Sequence, residues 1–190
     1  ASPWAAHVGF TEPHPAFICL EDYFEEYYPD NVDLPNVPPD HLEDQHVFFR
    51  EHRRFNQVDQ PIPDERIRRA RAAYFGMITE LDEYVGRLRT ALEETEQRET
   101  TIVVYTSDHG EMLGAHGLWF KCNLYEDAAH VPLVVEGPGI DDTAVDTPVS
   151  HVDLVASLLE RTGSTTPDRL RGRALRPLMG GEGGEYPDYV

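Results

Sequence analysis

Lysine is almost missing from this 190-residue chain: Lys121 stands alone against fifteen arginines. Basic charge of any kind is scarce, with sixteen Lys and Arg against thirty-five Asp and Glu and a formal net charge of −19. That balance excludes nucleic acid as a partner, because phosphate contacts need basic surface. An anionic membrane surface is excluded on the same ground. Long apolar runs are absent too, and no stretch approaches the roughly twenty residues of a membrane span. Two cysteines, Cys19 and Cys122, are too few for a disulfide framework, so free, buried thiols are expected. No signal peptide is visible in Ala1 to Phe10, which opens without a Met and reads as part of a longer protein.

What is present is a foldable chain. Apolar residues make up 40% of it, enough for one domain or part of a larger one. The acids are dispersed among periodic apolar segments, which argues against disorder. Dispersed acid with almost no lysine fits a halophilic protein kept soluble at high salt, where screening reduces self-repulsion. The compartment is left open, with a cytoplasmic, high-salt setting favoured.

Residues 5–10 are predicted to form a short strand running into the proline-flanked loop around His14. Residues 18–63, rich in Pro, Asp, Tyr and His, read as a surface excursion with helical patches over Leu20–Tyr28 and Leu42–Arg54. The clearest helix follows, with Asp64 as its N-cap. Ile67, Ala70, Tyr74, Met77, Ile78, Leu81, Val85, Leu88 and Leu92 recur there at three- and four-residue steps. Thr101–Thr106 and Val131–Val135 are predicted to be buried strands, and Val152–Arg161 a helix ended by Gly163. This order predicts an α/β fold with a mostly parallel sheet flanked by helices. The tail over residues 180–190 is glycine-rich and expected to be loose.

Chemistry concentrates after the first of these strands. Asp108 and His109 fall at its carboxyl end, where open α/β sheets bind ligands, and Gly110 lets the chain leave the sheet. A carboxylate beside an imidazole can bind a divalent cation. Lys121 follows twelve residues after His109. Its uniqueness points to a compact ammonium wanted for an anion, rather than a solvated loop charge. His116 reads equally as a substrate contact or a surface loop histidine. His14, between Pro13 and Pro15, is either a side chain presented at fixed geometry or part of a rigid turn.

The segment from Thr106 to Lys121, with Leu124-Tyr125-Glu126 and Val131 to Val135, resembles the sulfatase family of the alkaline phosphatase superfamily. So do Pro13-His14-Pro15, the helix from Arg71 to Leu88, Ser150 to Leu159, and Arg171 to Leu178. The resemblance implies residues 1–179 as the C-terminal portion of a sulfatase-like catalytic domain. It implies a metal-dependent hydrolase cleaving sulfate esters. Asp108 and His109 would sit on a divalent metal, calcium by preference with manganese or zinc as alternatives, while Lys121 and His14, helped by His116, would contact the ester. The family nucleophile, a cysteine oxidised to formylglycine (or a serine) in Cys/Ser-x-Pro-x-Arg, has no counterpart in these residues, so the chain alone is expected to be inactive.

Two alternatives stay open. One is a phosphonate monoester or phosphodiester hydrolase of the same superfamily. The other is a non-catalytic module that binds an anion or a partner chain, or associates with itself through exposed sheet surface.

Overall fold

The computed structural model describes residues 3–38, 41–142 and 144–175; the expected glycine-rich tail lies outside them. The chain divides into two compact units. The first holds residues up to Glu96 together with Tyr105–Val134, and the second holds Gln97–Val104 with residues from Val135 on. Five helices are described: α1 (Glu21–Glu25), α2 (Val47–Phe55), α3 (Asp64–Glu94), α4 (Glu126–Ala129) and α5 (His151–Arg161). Strands β1 (Val103–Thr106) and β2 (Leu133–Glu136) pair in a two-stranded sheet. Helix therefore far outweighs strand among the described residues, and the extensive sheet expected from the sequence is not formed there.

The predicted strand over residues 5–10 is absent. Alternating apolar residues favour a strand only when a neighbouring strand takes up the backbone N–H and C=O groups, and Trp4, Val8 and Phe10 remain exposed instead. The strand ends also shift for local reasons. Thr101 closes the preceding 3-10 turn, its hydroxyl donating to Gln97 O at 2.8 Å, so β1 starts only at Val103. Pro132 has no N–H to give to a ladder, and β2 begins after it.

Helix α3 organises the first unit. Pro63 occupies the cap position and Asp64 is the first helical residue, so the carboxylate acts on the helix dipole rather than as the cap. The buried face comprises Ala72, Ala73, Gly76, Met77 and Leu81. Spacings of three and four residues place these on one side, as the pattern predicts. Leu88, expected on the same stripe, is 43% exposed among the described residues. Helix α1 packs on α3. Their close approach depends on Gly76, where an added Cβ would lie 3.2 Å from the Tyr23 carbonyl of α1. Both cysteines are free, as expected, but Cys122 is exposed rather than buried.

The second unit is fastened by a satisfied buried carboxylate. Asp153, 6% exposed, accepts from Ser150 N at 2.9 Å in a capping box and from Arg173 N at 2.8 Å. Ser157 Oγ in turn accepts from Leu175 N at 2.7 Å, tying residues 173–175 to α5. Arg98 grips Glu136 through two hydrogen bonds at 2.6 and 3.0 Å, a bidentate pair within the same unit. Gly163, with φ +67°, ends α5 in the left-handed conformation that the sequence foretells.

Candidate active site

All five side chains singled out from the sequence lie in the first unit. Asp108 and His109 follow β1 directly. The Asp108 side chain is 86% exposed, and its Oδ2 stands 3.6 Å from His109 Nε2. His109 Nδ1 donates to Gly110 O at 2.9 Å, which fixes the ring and turns Nε2 toward the Asp108 carboxylate. The Asp108 backbone turn is set by its own Oδ1, which accepts from His109 N at 3.0 Å. An open carboxylate oxygen and an imidazole lone pair at this separation can share one divalent ion. Among the described residues no cluster of three or more His, Cys, Asp or Glu groups completes such a site. The pair thus fits a divalent cation as two ligands of a larger set.

Gly110 is required here by space, since an ideal Cβ would lie 2.1 Å from Asp127 O. Its N–H donates to Ala128 O at 2.8 Å, so α4 itself runs directly beside the Asp-His pair.

The chain then closes a loop that presents Lys121. Met112 N donates to Phe120 O at 3.0 Å and Gly114 N to Leu118 O at 2.9 Å, pairing its two arms. Met112 and Leu118 are fully buried and form a core with Ala128, against which Phe49, Ala115 and Tyr125 pack. Arg71 of α3 anchors the loop from outside, donating to Leu113 O at 3.1 Å while its Nη2 pairs with Asp33 at 2.6 Å. That guanidinium holds the Asp33 carboxyl below the usual carboxylate range. Leu118→Ala is expected to cost about 3 kcal/mol through lost burial and the void left behind, measurable by denaturant unfolding.

Glu111 was not foreseen. Its carboxylate is half-buried, and burial raises its pKa even though Leu113 N and Phe120 N donate to it and the charge of Lys121 opposes the shift. The available signal was its position two residues past His109, at the start of a glycine-rich loop. Tyr74 senses the same carboxylate: burial first, then the charge of Glu111, pushes its phenol up to about 12.

His14 belongs to a tight turn, its N–H donating to Thr11 O at 3.0 Å. Its Nδ1 donates to Pro15 O at 2.7 Å, so Nε2 is the open nitrogen, as in His109. Phe17, three residues on, meets Tyr74 edge to face at 5.6 Å, which ties this segment to the helix residue that senses Glu111. His116 is placed otherwise. Its ring stacks on Tyr125 at 4.3 Å and lies 5.0 Å from the His41 ring, with a buried Nδ1 that has no hydrogen-bond partner among the described residues. The geometry thus pairs Asp108 with His109, sets Glu111 against the backbone of the loop that carries Lys121, and commits the His116 ring to an aromatic stack.

Comparison with known proteins decides the family. The model of the family described as Sulfatase matches residues 1–164. This chain belongs to the sulfatase family. A choline-sulfatase from Rhizobium meliloti is 35% identical over 167 residues, which cover 85% of this chain and 32% of that relative. Among solved structures, a phosphonate monoester hydrolase from Silicibacter pomeroyi superposes with a TM-score of 0.83 at 35% identity, over 90% of this chain and 36% of that one. The phosphonate monoester hydrolase of Agrobacterium radiobacter gives a TM-score of 0.84 at 29% identity, over 98% and 40%. This sulfatase-family chain therefore spans about a third of the length of the curated relative it matches. The neighbours share an α/β sulfatase-like fold with it, although its own described residues are mostly helical.

Proposed function

We propose that this chain supplies one side of a metal-assisted sulfate-ester hydrolase site. The observation that carries the reading is the Asp108–His109 pair, its carboxylate open to solvent and its imidazole fixed by the hydrogen bond from Nδ1 to Gly110 O, twelve residues before the chain's sole lysine. Asp108 and His109 would hold a divalent cation, calcium by preference with manganese or zinc as alternatives. Such a cation supplies Lewis-acid neutralisation of charge on the ester's oxygens. Lys121 binds the same group as a point charge, and its attraction grows as those oxygens gather negative charge in the transition state. His14, once its open Nε2 has taken up a proton, hydrogen-bonds the bridging oxygen and gives that proton to it as the S–O bond breaks. The attacking group, a formylglycine by family resemblance, comes from outside these residues. His116 serves the site by holding the loop through its stack with Tyr125.

A second reading keeps these roles and places phosphorus at the centre, as in a phosphonate monoester or phosphodiester hydrolase. It is favoured by the close superposition on two phosphonate monoester hydrolases. A sulfate ester preferred over a phosphonate monoester of the same alcohol, in the catalytically competent enzyme, supports the first reading; the reverse order supports the second.

Asp108→Asn tests the ligand assignment in this chain. Calcium or manganese affinity, measured by calorimetry, should fall by about tenfold or more on loss of the anionic oxygen. Unchanged affinity contradicts the assignment.

Further proposals follow from composition and surface. The two described strands are taken as parallel members of a larger sheet flanked by helices. Exposed Trp4, Val8, Ile18 and Leu20 favour self-association. The charge of −19 makes a cytoplasmic, high-salt setting the expected one. The melting temperature should then rise by several degrees from dilute buffer to molar KCl; equal stability in both contradicts this.

A further inference from the structure

We infer that Glu111 is the residue that positions Lys121, by clamping both arms of the loop that carries it. The inference rests on the proposed function, because it takes Lys121 as the anion-binding group. One oxygen, Oε1, accepts from Leu113 N at 3.2 Å and from Phe120 N in a short hydrogen bond. A single atom thus joins residue 113 to residue 120, the immediate neighbour of Lys121.

The loop needs such a clamp. Among the described residues six non-glycine residues have positive φ, and four of them, Leu113, His116, Phe120 and Cys122, lie in this stretch. Side-chain-bearing residues hold that conformation only when surrounding contacts impose it. Two of the four flank Lys121, so the ammonium stands on strained backbone. The Phe120 N–H is engaged by the Glu111 carboxylate, and the apolar floor under the loop, Met112, Leu118 and Trp119, offers no alternative acceptor side chain. Burying a carboxylate in that setting is costly unless its hydrogen bonds are made, which explains why both go to the loop's own backbone.

The clamp is a matter of acceptor geometry, and this separates two substitutions. Glu111→Gln keeps Oε1 and should keep the loop; Glu111→Ala removes it. Hydrogen exchange on the full chain reads this directly. In Glu111→Ala the Leu113 and Phe120 amides should exchange at least about tenfold faster, with Met77 of α3 unchanged as a check on the fold, and in Glu111→Gln they should stay within about threefold. Sulfate affinity with calcium present, measured by calorimetry, should fall about tenfold in Glu111→Ala and recover in Glu111→Gln. Unchanged exchange at Phe120 in Glu111→Ala overturns the inference. So does faster exchange with sulfate affinity intact, if Lys121→Ala abolishes that affinity. Should Lys121→Ala itself leave sulfate affinity unchanged, the anion-site reading fails, and the exchange data still decide whether Glu111 clamps the loop.

Discussion

Lys121→Ala is expected to lower turnover of the catalytically competent enzyme by about two to three orders of magnitude, the usual cost of removing one preorganised group from a developing oxyanion. The loss should fall on kcat more than on KM, because a point charge near the ester's oxygens gains most as negative charge accumulates there. Lys121→Arg should recover little. The guanidinium is larger and planar, and Phe120 and Cys122, with φ of 67° and 75°, fix the backbone on either side. A Lys121→Ala enzyme within a few-fold of the parent rate contradicts the role.

Gly110→Ala should have a large effect on stability. The new methyl would sit 2.1 Å from Asp127 O and 3.0 Å from Asp127 C, both backbone atoms that cannot turn aside as a side chain would. The Gly110–Ala128 hydrogen bond at 2.8 Å must part to make room. We expect a cost of about 3 kcal/mol or more, and divalent-ion affinity falling with it because His109 is displaced. Gly86→Ala supplies the control of opposite sign. It lies inside α3 with nothing within 4 Å of the added carbon, and alanine there should stabilise by about 0.5–1 kcal/mol. Thermal unfolding of the two variants checks both directions; similar melting temperatures contradict the packing argument.

Much of this was legible in the residues because the signals were local. Helix α3 announced itself through a 3.6-residue period, α5 through its apolar spacing and Gly163, and the Asp108–His109 corner through its place after a β-branched run. What failed depended on neighbours that a sequence does not name. Alternation over residues 5–10 promises a strand only if another strand lies beside it. The stripe on α3 could not say that Leu88 would stay uncovered. Glu111 escaped notice because its role comes from burial and from two backbone donors brought together by the loop. His116 looked like a site residue from its company in the motif, yet its ring is spent on Tyr125.

The central claim is that Asp108, His109, Lys121 and His14 face one ion-and-anion site. Paramagnetic broadening by Mn2+ in NMR spectra of the isotopically labelled chain tests it most directly. At substoichiometric Mn2+ the signals of Asp108, His109 and Lys121, and the ring of His14, should broaden first, and Asp108→Asn should remove the effect. Broadening spread over the acidic surface, with those signals left sharp, would contradict the account.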